Sequence, residues 1–216
     1  MTIVQKIATW AIPLIFAITL HEVAHGWVAS WFGDQTARLS GRLSLNPIHH
    51  IDPIGTIAVP LIIMMVSTNF IFGWAKPVPV DARNLRNPRR DMALVAMAGP
   101  LANLAMAFFW GAMTWFAYYL IDSGHGWVGV PLSYMGGAGM MINVVLGVLN
   151  LVPLPPLDGG RVLASLLPPR LAYQFSLIEP YGFIILVILL MTGVLSSIIG
   201  PAIFFILRLL SAIFAL

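Results

Sequence analysis

Residues 18–29, ITLHEVAHGWVA, put two histidines and a glutamate inside a stretch that otherwise reads as membrane helix. No other feature restricts the folds open to this chain as strongly. An ionisable side chain at membrane depth is costly unless it faces the interior of a bundle and finds a partner there. His21 and His25 are one helical turn apart, so both imidazoles project from one face and can converge on a single cation. Glu22 sits beside them. In this H-E-x-x-H pattern the histidines bind a divalent metal and the glutamate acts as general base toward water.

The rest of the chain supplies a membrane setting. Of 216 residues 59% are hydrophobic and only 9% are charged, against roughly 25% charged in a soluble domain. An ordinary soluble domain is therefore excluded, and the length suits one membrane-embedded domain over 1–216. Its catalytic core is expected over 3–165 and a C-terminal helical hairpin over 181–216. The chain has no cysteine, so a metal must be held by histidine and carboxylate. The net charge of +3 comes from Lys and Arg in short loops between apolar runs; this fits the surface of an inner leaflet rather than nucleic acid. The N-terminal run carries the motif and no small-residue cleavage site, so it reads as a retained helix.

Along the chain, the first apolar run spans 3–32, kinked at Pro13 and ended by Gly33 and Asp34. Partial alternation of Leu39, Leu43 and Leu45 in 37–55 predicts short strands and turns. Residues 54–72 are apolar and about the minimum length for one crossing. In GWAKPVPV, 73–80, Pro77 and Pro79 permit only an edge strand. Helices are predicted over 92–121, which contains the small-residue stretch MAGPLANLAMA, and over 131–151. The segment VPLPPLDGGR then breaks the second of these, a short helix RVLASLL follows, and two final apolar runs part at Gly200–Pro201. The expected fold is an all-α polytopic membrane protein of about five to six membrane helices or segments. A small β-sheet or re-entrant region is expected between the first and third apolar runs.

Loop charge orients this bundle. Residues 73–91 carry five Lys or Arg and residues 122–130 carry none, which assigns the former to the cytoplasm. The helix over 131–151 then returns inward and brings Asp158 to that side. If Asp158 is to meet the histidines, residues 33–53 lie there too, and both flanks of 54–72 share one side. That segment is expected to dip in and return, under a cover of protein or a water-filled cavity. The site is accordingly expected toward the cytoplasmic side of the membrane.

Two histidines and a carboxylate leave the fourth position of a tetrahedral zinc open to water. Asp158, at a helix break, is the candidate third ligand; the alternative is that it only caps the following helix. Asn150 is a candidate donor to a substrate carbonyl or oxyanion, the alternative being an interhelical hydrogen bond. Asn103 and Asn143 are assigned to helix packing. His49 and His50 are adjacent and share no face, so they read as loop residues, with His50 near the site. The edges at 37–45 and 73–80 either capture an unwound substrate by strand addition or merely cover the membrane face.

HEVAH at 21–25 and NLVPLPPLDGG at 150–160 together resemble the site-2 protease family of intramembrane zinc metalloproteases, in its small bacterial form without PDZ or CBS domains. MAGPLAN at 97–103, SLNPIHHIDPIGT at 44–56 and GWAKPVPV extend the resemblance over most of 18–165; the last 40 residues add nothing specific. The resemblance implies that His21, His25 and Asp158 hold one zinc ion, that Glu22 is the catalytic base and that Asn150 lies in the substrate site. It also implies that the substrates are transmembrane proteins, cut within or near their membrane segments. Two other functions use the same residues: a metal transporter with His21, His25 and Asp158 as a transit site, and a non-catalytic relative that binds membrane proteins. The helices offer few further polar residues to line a permeation path, and a structural zinc site has no need of Glu22. No nucleic-acid partner is expected, and the oligomeric state is left open.

Overall fold

The fold was analysed in a computed structural model that describes residues 3–59 and 75–216. Three long helices carry it. α1 (Ile3–Trp31), α3 (Pro88–Asp122) and α4 (Gly126–Asn150) pack against one another. Between α1 and α3 lie α2 (Thr36–Leu39) and single helical turns at Pro47–His50, Pro53–Ala58 and Ala82–Asn84. After α4 come α5 (Asp158–Leu166), α6 (Pro169–Ser176), α7 (Glu179–Met191) and α8 (Val194–Phe214).

Local chemistry sets the ends of these helices. α3 opens on Pro88, whose missing N–H costs nothing at a first helical position. One turn on, Asp91 Oδ2 accepts the Asn87 N–H at 2.7 Å, satisfying a donor at the helix start. α4 stops at Asn150 because the prolines of VPLPP cannot continue the hydrogen-bond ladder.

The bundle turns its large apolar side chains outward. Phe16, Trp27 and Trp31 on α1 and Phe108, Phe109 and Trp115 on α3 are exposed, surfaces that lipid covers. Among the described residues four helices are long and apolar enough to cross a membrane, and the pair α6–α7, bent by 62°, makes a fifth if it counts as one span; with the second apolar run beside them this roughly matches the expected number of membrane helices or segments. This is an integral membrane protein. α7 and α8 are held to α3 and α4 through a core of Ala107, Val144, Val148, Leu186, Leu195, Ile199 and Leu210.

The last turns of α1, the first turns of α3 and the turn after α4 gather at one end of the bundle. A second core of Ala29, Leu85 and Val95 closes that end. Here Arg86 N–H donates to Phe32 O at 3.1 Å and Lys76 N–H to His50 O at 2.9 Å. The two flanks of the second apolar run therefore meet on one side, as the loop charges require. The course of residues 60–74, which include most of the expected re-entrant segment together with Gly73 and Trp74, lies outside the described residues.

Two expectations need correction. No strand occurs among the described residues: 36–39 is helix, and 75–80 is extended but unpaired as a ladder. The reason is visible in KPVPV. The N–H groups of Lys76 and Val78 are spent on His50 O and on the Glu22 side chain, and the alternating Pro77 and Pro79 have none to give. At the C-terminus the chain breaks at Gly193, whose φ is 74°, while Gly200 and Pro201 lie inside α8.

Candidate active site

α1 presents His21 and His25 to the bundle interior, where they are 8% and 5% exposed. His25 is six residues from the end of α1, about 9 Å at 1.5 Å per residue. The pair thus lies well below the loops. Asp158 reaches them from the other side of the α4 break and is 5% exposed. His21 Nε2 and His25 Nε2 are 3.1 Å apart, and each is 3.2 Å from Asp158 Oδ2. A tetrahedral site with metal–ligand distances of 2.0–2.1 Å has ligand–ligand edges of about 3.3 Å. The triangle matches one face of such a site.

Two close approaches make the triangle possible. A Cβ on Gly99 of α3 would lie 2.6 Å from the Cε1 atoms of both histidines and nearer still to His25 Nε2, so only glycine leaves the rings room to converge. On the far side, α5 begins hard against the turn that precedes it. A Cβ on Gly160 would lie 2.6 Å from Pro155 N, and one on Gly159 2.5 Å from the Leu151 carbonyl carbon. The two glycines let Asp158 stand at the first turn of α5 with its side chain turned to α1. Leu157 takes the N-cap position and Asp158 makes no capping hydrogen bond, so the capping alternative is not realised.

Protonation follows from the partners. His25 Nδ1 is 2.7 Å from Val95 O; a carbonyl only accepts, so Nδ1 carries the hydrogen and Nε2 presents a lone pair. His21 Nδ1 is 2.6 Å from Asn103 Oδ1. Asp158 Oδ2 is buried without a hydrogen-bond donor among the described residues. A buried carboxylate oxygen facing an imidazole lone pair is unfavourable on its own and favourable around a cation. The donor set, two imidazoles and a carboxylate with no thiolate, suits zinc, and no other such cluster occurs among the described residues.

Glu22 is half-buried, and its Oε2 accepts the Val78 N–H at 2.8 Å. The segment 75–80, expected as an edge strand, thus serves as a strap whose backbone holds the carboxylate. Asp34 anchors the strap further on. Its fully buried carboxylate accepts the Asp81 N–H at 2.7 Å, the Thr36 N–H and the Asn84 side-chain amide at 3.0 Å, and the Thr36 hydroxyl. Burial alone would raise its pKa; the hydrogen bonds from Thr36, Asn84 and Asp81 outweigh it and hold the carboxyl below its usual range.

The remaining candidates sit apart from this cluster. Asn150 turns back on its own helix, Nδ2 donating to Leu146 O at 3.0 Å. His49 is exposed. His50 is buried, with Nε2 2.9 Å from Ser44 O, and takes no part in the triangle. Sequence reasoning passed over two contacts, Asn103 to His21 and the Val78 amide to Glu22. The signal for the first was present: in GPLAN, Gly99 and Asn103 are one turn apart on the α3 face that meets the histidines. A backbone donor such as Val78 N–H leaves no signal in side-chain identity.

A family model of peptidase family M50 matches residues 127–193, the part that carries Asp158. The Bacillus subtilis protein "Putative zinc metalloprotease YwhC" is 39% identical over 215 residues, covering 94% of this chain and 91% of that protein. This chain belongs to peptidase family M50. Among other M50 relatives, Rip2 of Mycolicibacterium smegmatis, described in the same words, is 31% identical over 190 residues, 88% of this chain and 68% of its own. The "Zinc metalloprotease MJ0392" of Methanocaldococcus jannaschii is 24% identical over 201 residues but matched over only 47% of its length. No solved structure matches the chain. The M50 assignment bears out the resemblance carried by HEVAH and NLVPLPPLDGG.

Proposed function

We propose that this M50 peptidase hydrolyses peptide bonds within or near the membrane segments of transmembrane proteins, with His21, His25 and Asp158 holding one zinc ion and Glu22 as base. The observation that carries this reading is the buried triangle of two Nε2 atoms and Asp158 Oδ2 at 3.1–3.2 Å, with its orphaned carboxylate oxygen. Bound there, zinc would supply a Lewis acid that brings the pKa of water down toward neutrality. Glu22 is oriented by its bond to Val78 N–H, which occupies Oε2 and leaves Oε1 to accept the water proton and later deliver it to the leaving amine. Asn150 is assigned to the substrate: one of its two amide hydrogens is spent on Leu146 O, and the other is available to a substrate carbonyl or oxyanion.

The depth of His25, about 9 Å in from the end of α1, favours a bond cut inside the apolar zone. The scissile segment must be unwound, since helical hydrogen bonds shield its amides. The strap is poor at capturing it by a full ladder, because the Lys76 and Val78 N–H groups are already bonded and residues 77 and 79 are proline. The basic segment 73–91 supports a site end that faces the cytoplasmic side of a bacterial inner membrane. Neither a transporter nor a silent binding protein gains a supporting observation.

The test uses purified chain reconstituted with a model transmembrane substrate. Wild type cleaves it. Glu22→Gln keeps one zinc per chain and loses about 10²–10⁴ in kcat. Equal cleavage by both forms, or none by the zinc-loaded wild type across several substrates, overturns the proposal.

A further inference from the structure

Asn103 and Asn143 are both fully buried, on α3 and α4, in helices whose other inward residues are mainly small or apolar. A buried amide is tolerated in such a place only when its hydrogen bonds are made. The two side chains make them in one direction. Asn143 Nδ2 donates to Gly139 O at 2.8 Å, so its Oδ1 faces Asn103, and Asn103 Nδ2 donates to it at 3.0 Å. Asn103 Nδ2 also donates to Ala17 O at 3.2 Å, one turn before His21. Both hydrogens of that amide are then used, on acceptors that cannot donate in return. Oδ1 is left to face His21 Nδ1 at 2.6 Å, and it can only accept.

We propose that Asn103 is a positioning residue for His21, and that Asn143 acts through it: together they fix the tautomer that turns the His21 Nε2 lone pair toward the metal. His25 needs no such device because a backbone carbonyl, Val95 O, does the same work. For His21 the polarity is set by helix backbone at Gly139 and Ala17 and relayed across three helices. A packing role would be filled as well by leucine, which matches the shape of asparagine; a tautomer-setting role would not. This inference rests on the metallopeptidase reading for the identity of the metal, but its readouts are independent of cleavage.

The test measures Zn²⁺ affinity by chelator competition for full-length wild type, Asn103→Leu, Asn143→Leu and the double variant. It is paired with ¹⁵N chemical shifts of labelled histidine in the zinc-free protein, which distinguish a protonated from an unprotonated ring nitrogen. Asn103→Leu is expected to weaken zinc by about 10–100-fold and to give His21 mixed tautomers. Asn143→Leu is expected to cost several-fold alone and nothing further in the Asn103→Leu background. Should Asn103→Leu fail to fold, Asn143→Leu, which keeps the His21 contact, still reads out the mixed tautomer. Wild-type affinity and a single tautomer in the variants, or an equal Asn143→Leu loss in both backgrounds, would overturn it. A wild type whose zinc affinity depends on Asn103 but that cuts no peptide would sink the protease reading and leave this one standing. Cleavage by an enzyme whose zinc affinity ignores Asn103 would do the reverse.

Discussion

The space in which His21 and His25 converge is made by a side chain that is not there. Gly99 lies so close to both rings that a single methyl group displaces them. Gly99→Ala should therefore cost about 1–3 kcal/mol of strain at the ligands, read as a loss of about fivefold or more in zinc affinity with helix content unchanged. Gly126→Ala, where nothing lies within 4 Å, should bind zinc as wild type does. Metal titration followed by circular dichroism on both variants checks this, and an unaltered affinity for Gly99→Ala would mean that the glycine does not shape the site. At this scale the sequence was most informative for the residues that carry charge. HEVAH and LDGG name side chains that an apolar bundle tolerates only around a cation or a charged partner. Asn103 was harder to place because a buried amide serves packing and positioning with the same residue type, and only the partners tell them apart.

Among the elements, α1, α3 and α4 were legible within a few residues, because long apolar runs ended by Gly, Asp and Pro leave little choice. The strands were not. Alternation of Leu39, Leu43 and Leu45 resembles a half-buried strand, yet α2 takes up Leu39, Leu43 packs beside Gly26, and Leu45 points outward. In KPVPV the deciding fact was where Val78 N–H goes, and no residue pattern encodes that. The strap instead depends on the Asp34 corner, which ties the end of α1 to Asp81 and Asn84. The Asp34 pKa is lowered from 3.8 on folding. The stabilisation is accordingly full above that value and is lost as pH falls through the lower folded value. Asp34→Asn replaces an acceptor of several charge-assisted bonds and should cost about 1.5–3 kcal/mol. Limited proteolysis of residues 75–87 should show the wild-type strap protected at pH 6 and released in strong acid, and the variant strap released at both. A variant protected like wild type at pH 6 would remove Asp34 from this role.

For the whole molecule, the architecture brings both flanks of the second apolar run, the basic segment 75–91 and the turn bearing Asp158 to one end, and the α3–α4 loop to the other. The absence of cysteine makes this easy to test with single introduced thiols. Ser40→Cys and Arg86→Cys should react with an impermeant maleimide from the same side of oriented vesicles, and Gly126→Cys only from the opposite side. Ser40→Cys and Arg86→Cys labelling from different sides would break the topology. The likeness to M50 relatives runs over nearly the full chain, and the central proposal is that the catalytic residues assemble around one metal ion held by α1 and the start of α5. X-ray absorption at the zinc edge of the reconstituted protein tests that claim most directly. One zinc per chain is expected, with two imidazole nitrogens and one carboxylate oxygen at about 2.0–2.2 Å, and occupancy falling well below one in Asp158→Ala. A shell without two imidazoles, or full occupancy in Asp158→Ala, would contradict it.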